Sequence, residues 1–233
     1  MNIGIIQCAK IREALASQHG QYPAMFSTLL KQADPTLTYT IYDAEKVELP
    51  DNVDACDAYL ITGSHHGVYD DLYWITPLEN FVCKLHAAQK KVVGICFGHQ
   101  LIAQALGGKV IKSPKGWGVG MSTNKITLHK PWMKPNCEEF NLIVSHQDQV
   151  VELPKGTEIL ASSDFCPYYM LQIGKMLTIQ GHPEFTKPYA KMVLEEDRKE
   201  ILDPIRYEKG LQSLELKRDD TLIANWIVNF FAA

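Results

Sequence analysis

One stretch of this chain, KVVGICFGHQLIAQALGG at residues 91–108, restricts its fold more than any other. Lys91 to Ile95 is a short β-branched run of the kind that forms a strand buried on both faces. Gly94 and Gly98 flank Cys96 at the spacing of a nucleophile elbow, a tight turn between a strand and a helix. Such a turn would project Cys96 out of the sheet towards solvent and substrate. The pattern predicts an α/β sheet with a cysteine at the end of one strand.

The segment after the cysteine has the features of a helix. His99 to Leu106 predicts the helix, and Gly107 and Gly108 suit a left-handed helix end. The amino end of this helix would place positive partial charge near the Cys96 sulfur, which favours a thiolate over a thiol. A buried cysteine with only a packing role is the alternative, and the two flanking glycines weigh against it.

A second segment, MLTIQGHPEF at residues 176–185, contains a base for such a nucleophile. An apolar strand leads to His182, and Glu184 follows two residues later. A cysteine nucleophile needs a base, and the base needs a group that orients it. With Pro183 between them, the glutamate can accept a hydrogen bond from one ring nitrogen of His182 and leave the other nitrogen facing the sulfur. The alternative is a loop histidine beside a solvated acid at a helix start.

Composition indicates a compact enzyme. The 233 residues are 46% hydrophobic and 21% charged, with a formal net charge of −4, so we expect neither nucleic acid nor a membrane as a partner. The six cysteines form no C-x-x-C pair and no short spacing with histidine, so neither a metal site nor a dense disulfide framework is expected. The apolar MNIGIIQCAK at the start is interpreted as a first strand rather than a signal, and a reducing cytosol suits a cysteine enzyme.

Predicted strands and helices alternate as in a doubly wound, mainly parallel central sheet with helices on both faces. Strands are expected at 2–7, 38–42 and 58–62, and helices at 22–32 and 72–89. Short stretches rich in Val, Ile and Thr predict a small antiparallel extension at 109–127, 141–145, 158–161 and 169–180. A helical extension follows from about 187 and ends in the amphipathic LIANWIVNFF, whose apolar stripe predicts packing against the domain, with a dimer contact as the alternative. We therefore expect one domain over residues 1–233.

The loop after the third predicted strand has two interpretations. Adjacent histidines, His65 and His66, point in different directions and lack a partner at ligand spacing, so a position at a pocket rim is favoured over a metal site. The polar and aromatic residues at 69–74 either select the group beyond the reacting bond or begin a helix with acids near its amino end.

These residues resemble the class I, triad-type glutamine amidotransferases, and among them the glutaminase domain of GMP synthase and the stand-alone γ-glutamyl peptidases. The resemblance rests on GICFGHQ, SHQDQV and GHPEF, which occur in family order, and together with DACDAYLITGS it spans about residues 1–190. It implies a flavodoxin-like fold, a cytoplasmic enzyme without cofactor or metal, and a small-molecule γ-glutamyl substrate.

Carried over residue by residue, the resemblance makes Cys96 the nucleophile, His182 the general base and acid, and Glu184 the group that orients His182. It implies a substrate pocket that contains Gly63, Gln100, Ser145, His146, Gln147 and Asp148. An oxyanion hole needs two donors, and the backbone N–H groups of Phe97 and Ser64 are implied. The family commonly carries Gly-Gly-Pro where this chain reads Gly-Ser at 63–64, and the γ-glutamyl peptidase branch tends to share Gly-Ser.

The resemblance implies hydrolysis of a γ-glutamyl amide through a glutamyl thioester. Two versions remain open: a glutaminase that passes ammonia to a separate synthase subunit, and a stand-alone γ-glutamyl peptidase. The chain has no G-x-x-x-x-G-K-[ST] loop for the phosphates of ATP, so an ammonia-using synthase would be a separate chain. A catalytically silent regulatory module that keeps the fold is the third alternative.

Overall fold

Strands and helices alternate along the chain in the computed structural model, which describes residues 1–233. The strands are β1 (Asn2–Gln7), β2 (Thr38–Asp43), β3 (Ala58–Ile61), β4 (Lys91–Ile95), β5 (Lys109–Lys112), β6 (Gly118–Ile126), β7 (Glu139–His146), β8 (Asp148–Glu152), β9 (Thr157–Ser162), β10 (Met170–Ile173) and β11 (Met176–Ile179). The helices are α1 (Glu13–His19), α2 (Tyr22–Lys31), α3 (Ile75–Ala87), α4 (Phe97–Ala105), α5 (Lys187–Val193), α6 (Pro204–Ser213) and α7 (Asp220–Ala232). A short 3-10 helix (Ala44–Lys46) follows β2, and a π-helical turn (Leu194–Arg198) follows α5.

Nine strands form one sheet in the order β2-β1-β3-β4-β11-β10-β9-β6-β7. The pairings from β2 through β1, β3 and β4 to β11 are parallel. The pairings from β11 through β10, β9 and β6 to β7 are antiparallel. The parallel part has the flavodoxin-like strand order. The structure therefore confirms the predicted doubly wound sheet with an antiparallel extension.

Helices cover both faces of the sheet. Ile3 and Ile5 of β1 pack into one apolar cluster with α2 and α7, whereas Ile6 packs into a second cluster with α3 and α4. Because successive strand side chains point to opposite faces, the two clusters lie on opposite sides of the sheet. Trp226 and Phe230 of α7 are fully buried in the first cluster, so the apolar stripe of this helix packs on the sheet, as predicted.

Three local features differ from the expectations. Residues 169–180 are not one antiparallel segment, because a turn at Gly174 (φ 56°) divides them and β11 then pairs in parallel with β4 in the middle of the sheet. β5 leaves the main sheet and pairs with β8 in a separate two-stranded sheet. The short helix α1 was not expected, since it buries a single side chain, Leu15, and gives little apolar periodicity.

The adjacent positions of β4 and β11 decide where the site forms. Parallel neighbours end at the same edge of a sheet. Cys96 follows β4, and its backbone N–H donates to the carbonyl of Ile179 at the end of β11, at 2.9 Å. His182 comes three residues after Ile179, so the fold brings the two predicted reactive residues to one edge.

Candidate active site

The turn between β4 and α4 has the geometry of a nucleophile elbow. Cys96 has φ 52° and ψ −100°, a backbone conformation that costs a non-glycine residue about 1–3 kcal/mol. A Cβ on Gly94 would lie 2.5 Å from the carbonyl oxygen of Gly98, and a Cβ on Gly98 would lie 2.4 Å from that of Ile61. Both glycines are needed because the turn packs directly against backbone. α4 begins at Phe97, two residues earlier than predicted.

Cys96 is less open to solvent than the sequence suggested. Only 6% of the residue is exposed, because it lies at the bottom of a cleft. The side-chain amide of Gln180 donates to Cys96 Sγ at 3.6 Å. Gln180, which directly follows β11, thus fixes the orientation of the thiol towards the cleft.

His182 and Glu184 form a buried hydrogen-bonded pair. His182 Nδ1 donates to Glu184 Oε1 at 2.7 Å, and the two residues are 3% and 5% exposed. The backbone N–H of His182 donates to the carbonyl of Ile143 at 2.8 Å. The ring of Phe185 stacks on the imidazole with 3.9 Å between centroids and 11° between planes. The imidazole is therefore fixed by a carboxylate, by its backbone and by an aromatic face.

The second ring nitrogen of His182 lies on the side of Cys96. Burial alone would lower the pKa of His182, but the negative charges of Glu184 and Cys96, to which the imidazolium donates, raise it to about 10. A Cβ on Gly63 would lie 3.0 Å from His182 Cε1 and 3.7 Å from Cys96 Cβ. Gly63 thus packs against both residues. The raised pKa means that the imidazole can keep a proton beside the sulfur at neutral pH.

A cleft with two lobes opens above Cys96. The small lobe, of about 190 Å³, is lined mainly by polar side chains, including Tyr69, Gln100, Lys112, Trp117, His146, Gln147 and Asp148. The large lobe, of about 430 Å³, combines apolar and charged side chains, including Lys10, Ile11, Arg12, Leu15, Tyr22, His182, Phe185, Tyr189, Val193 and Asp197. Both lobes are bordered by Ser64, His65, Cys96, Ser145 and Arg198. Cys96 therefore lies where the two lobes meet.

Hydrogen bonds fix the small lobe from within. Gln100 Nε2 donates to the Asp148 carbonyl at 2.9 Å and to Gln180 Oε1 at 3.1 Å. His146 Nδ1 donates to the same carbonyl at 3.1 Å, and burial lowers the pKa of His146 to about 4, so its ring is neutral at pH 7. Tyr69 donates to Asp148 Oδ1 at 2.9 Å. The loop that carries Asp148 is held at three points.

The two predicted backbone donors belong to Ser64, which borders both lobes, and to Phe97, which directly follows Cys96. Phe97 is the first residue of α4, so its N–H has no acceptor within the helix. The N–H of Ser64 donates no hydrogen bond within the protein, while Ser64 Oγ accepts from the N–H of His66 at 3.1 Å and fixes the loop. Both backbone N–H groups are thus free to donate to a ligand. Three of the predicted site residues, Gly63, Phe97 and Glu184, line neither lobe. Gly63 packs against His182, Glu184 accepts a hydrogen bond from it, and Phe97 directly follows Cys96.

Sequence reasoning missed Arg198, which lies beside the reactive residues. Its guanidinium carbon lies 4.3 Å from the ring centroid of Trp117, and its Nε donates to Ser145 Oγ at 3.3 Å. Arg12 forms ion pairs with Glu196 and Asp197, whereas Arg198 forms none. A signal was present in the buried positions of α5 and of the π-helical turn that follows it. Tyr189, Ala190 and Val193 of α5 and Leu194 of the turn are buried, and the spacing of four continues to 197–198. That spacing predicts charged groups on a buried face.

The two adjacent histidines lie at the rim of the cleft. Their rings are 4.0 Å apart, and His66 stands between Glu45 at 3.7 Å and Asp70 at 3.8 Å. The structure contains no group of three His, Cys, Asp or Glu side chains that could hold a metal ion. All six cysteines are free. None of the helices combines the length and apolar character that crossing a membrane requires.

An α/β sheet that presents a cysteine at an elbow, beside a buried histidine and glutamate, is typical of enzymes with a cysteine nucleophile. A family model described as glutamine amidotransferase class-I matches residues 21–199. The chain is 30% identical to a glutamine amidotransferase-like protein of Schizosaccharomyces pombe, over 98% of each chain. It is 36% identical to gamma-glutamyl peptidase 4 of Arabidopsis thaliana, over 72% of this chain and 70% of that protein. The chain belongs to the class-I glutamine amidotransferase family.

The solved structures agree on the fold. A glutamine amidotransferase from Methylobacillus flagellatus superposes with a TM-score of 0.78 and 21% sequence identity, over 99% of this chain and 92% of that chain. At this identity the likeness establishes the fold alone. It agrees with the flavodoxin-like strand order of the parallel part of the sheet.

Proposed function

We propose that the protein hydrolyses the amide bond of γ-glutamyl compounds, with Cys96 as the nucleophile. The observation that carries this proposal is the arrangement of the imidazole, since Nδ1 of His182 is held 2.7 Å from Glu184. The ring also lies close to the elbow cysteine, because a Cβ on Gly63 would be 3.0 Å from His182 Cε1 and 3.7 Å from Cys96 Cβ. A base that is oriented by a carboxylate and adjacent to a thiol is what nucleophilic acyl transfer requires.

In the first half of the reaction, the thiolate of Cys96 attacks the γ-carbonyl carbon and a C–S bond forms. The electron pair of the carbonyl moves onto its oxygen, which accepts hydrogen bonds from the backbone N–H groups of Phe97 and Ser64. His182, as imidazolium, gives its proton to the amide nitrogen. The C–N bond breaks, the amine leaves, and a glutamyl thioester and a neutral imidazole remain.

In the second half, water takes the place of the amine. His182 accepts a proton from the water, and the oxygen attacks the thioester carbon. The C–S bond breaks, glutamate leaves, and the thiolate of Cys96 with protonated His182 is restored. The elevated pKa of His182 supports this cycle, because the imidazole must hold a proton between turnovers.

We assign the small lobe to the glutamyl group. Its volume, about 190 Å³, suits one amino acid, and it offers the Asp148 carboxylate to an ammonium group and Lys112 to a carboxylate. Burial raises the pKa of the Asp148 carboxyl, and both Tyr69 and Lys112 oppose that effect. A bound ammonium would stabilise the charged carboxylate further.

Two leaving amines fit this chemistry. If ammonia leaves, the protein is a glutaminase and a separate synthase subunit uses the ammonia. The second candidate is a stand-alone γ-glutamyl peptidase, and the large lobe favours it. This lobe measures about 430 Å³, whereas a molecule of the size of water occupies about 30 Å³ in a liquid.

The test is release of glutamate by the purified protein from glutamine and from γ-glutamyl peptides such as glutathione. The Cys96→Ala variant is the negative control, and Cys83→Ala, which removes an exposed free thiol, is the matched control. Peptide turnover that is lost only in Cys96→Ala supports the peptidase. Weak glutamine turnover alone supports a glutaminase subunit. If neither substrate gives Cys96-dependent release of glutamate, the proposal is wrong, and the result supports a catalytically silent regulatory module instead.

A further inference from the structure

Arg198 is a cation without a carboxylate partner at the junction of the two lobes. Its guanidinium donates to Ser145 Oγ at 3.3 Å and to the carbonyl of Asp197 at 3.2 Å, which leaves donors free. The π-helical turn that ends at Arg198 interrupts the regular helix after α5, and such turns occur frequently at functional sites. A half-buried, unpaired guanidinium is costly to keep unless a ligand uses it.

The position of His182 shows which lobe faces the leaving group. His182 lines the large lobe and not the small one. On the proposed function, on which this inference rests, His182 gives its proton to the departing nitrogen. The amine must therefore leave into the large lobe.

The lining of the large lobe includes Arg198 itself. Asp197, Tyr22 and Tyr189 line the same lobe, so the guanidinium can be reached from the side of the leaving amine. Trp117 lines only the small lobe of the two and stacks on one face of the guanidinium. The small lobe has a cation of its own, Lys112, for a glutamyl carboxylate.

The other basic residues of the large lobe are already neutralised. Arg12 pairs with Glu196 and with Asp197 at 3.1 Å, and Lys10 pairs with Asp43 at 3.3 Å. Arg198 is thus the one arginine or lysine of this lobe that lacks an ion pair. Like Cys96, it borders both lobes, so a carboxylate that meets it is expected only a few bonds from the reacting nitrogen.

We propose that Arg198 binds the carboxylate of an amino acid that is attached through its nitrogen to the γ-glutamyl group. The substrate class is accordingly γ-glutamyl amino acids, in which the carboxylate is two bonds from the departing nitrogen. The side chain of that amino acid enters the apolar part of the large lobe formed by Ile11, Leu15 and Val193. Arg198 is the specificity-determining residue that distinguishes such substrates from simple amides.

The first test compares two substrates that differ in one group. γ-Glutamylglycine has the carboxylate, and γ-glutamylglycinamide replaces it with a neutral amide. Arg198→Met keeps an apolar side chain for contact with Trp117 and removes the charge. We expect it to raise KM for γ-glutamylglycine by about 10- to 100-fold, the value of a hydrogen bond to a charged group, and KM for the glycinamide by less than about threefold, with kcat little changed for both.

Two further variants make the result specific. Arg198→Lys keeps the charge without the planar fork, so it should recover part of the preference for γ-glutamylglycine. Lys199→Met removes a like charge from the next residue, which is exposed and lines neither lobe, and should leave both KM values unchanged. An equal rise in KM for the two substrates in Arg198→Met would overturn the inference, because Arg198 would then bind the glutamyl group or stabilise the fold. An unchanged KM for γ-glutamylglycine would overturn it as well.

A binding measurement separates this inference from the proposed function. In the Cys96→Ala background no turnover is needed, and calorimetry gives the affinities for the two compounds. We expect γ-glutamylglycine to bind more tightly, by about 10-fold or more, with the preference abolished by Arg198→Met. If the variant shows this preference while the unaltered protein shows no Cys96-dependent turnover, the proposed function is wrong, but the assignment of Arg198 as a carboxylate-binding residue holds. If the two compounds bind equally, the Arg198 site fails whatever the turnover of the unaltered protein.

Discussion

The two lobes beside Cys96 are built in different ways. The small lobe is formed around β5, β7 and β8, and its polar groups bind one another, as in the hydrogen bonds from Gln100 and His146 to the Asp148 carbonyl. The large lobe is formed by the α1 region, α2 and the segment after β11, and half of the residues that line it are apolar. Its polar side chains include Arg198, which donates to Ser145 Oγ, and His182, which donates to Glu184.

This difference suggests a division of labour. A lobe whose polar groups are already fixed can hold one chemical group in one orientation, at little cost in entropy on binding. A lobe with apolar walls accepts side chains of different shape and discriminates through few polar contacts. The small lobe should therefore act equally on all γ-glutamyl substrates, and the large lobe should distinguish among them.

The largest effect is expected where the two lobes meet. Cys96→Ala should lower kcat by at least about 10⁴-fold for every γ-glutamyl substrate, because no covalent intermediate can form. Steady-state glutamate release checks this, with circular dichroism to show that the fold is kept. Activity that remains with any one substrate would mean that the two lobes do not share one nucleophile.

Glu184→Gln should have the next largest effect. We expect kcat to fall by about 10²- to 10⁴-fold, and less than in His182→Ala, because the amide disturbs the orientation of the imidazole but leaves the proton carrier. The loss should be the same for substrates with small and large leaving amines. A loss confined to large amines would show that Glu184 shapes the large lobe instead.

The pH profile gives Glu184→Gln a second readout. The carboxylate stabilises the imidazolium, so its removal lowers the pKa of His182 from about 10 towards the usual value of 6.5. The alkaline limb of kcat/KM should lie near pH 10 in the unaltered protein and move to lower pH in the variant. An unchanged limb would contradict the assignment of His182 as the acid.

A smaller and uniform effect is expected in the small lobe. Asp148→Asn should raise KM by about 10-fold for glutamine and for γ-glutamyl peptides alike, since the charge that would meet the substrate ammonium is lost. Initial rates over a range of each substrate measure this change. A change that depends on the leaving amine would remove the distinction between the lobes.

The smallest effect is expected at the rim. Tyr69→Phe deletes the hydrogen bond to Asp148 Oδ1 from a tyrosine that is 47% exposed. One such bond contributes about 0.5–1.5 kcal/mol, which corresponds to a two- to tenfold rise in KM. A double-mutant cycle with Asp148→Asn should show that the two effects are not additive.

The sequence predicted what depends on short-range structure. The elbow follows from Gly94 and Gly98, because only glycine leaves room for backbone to approach at those two positions. The pairing of His182 with Glu184 follows from their spacing in the chain. The Gly94–Gly98 and His182–Glu184 contacts join residues a few positions apart, so a single segment determines them, whereas the approach of Gly98 to Ile61 comes from the neighbouring strand.

For features that depend on tertiary packing, the sequence provides at most a local indication. Arg198 borders the cleft because Ser145 and Trp117, from other parts of the chain, receive it. The central position of β11 depends on its pairing with β4, and an apolar run of four residues does not show which strand it pairs with. The local sequence pattern predicts whether a segment is a helix or a strand, but it does not determine which elements the segment packs against.

The adjacency of β4 and β11 also affects when the protein can become active. The strands β5 to β10 lie between them in sequence, so their pairing closes a long loop and belongs to the slow, non-local part of folding. A chain still being synthesised has the thiol long before it has the base. On the proposed mechanism, a nascent or partly unfolded chain would be chemically idle, and the onset of turnover during refolding would report that the last pair of central strands has closed.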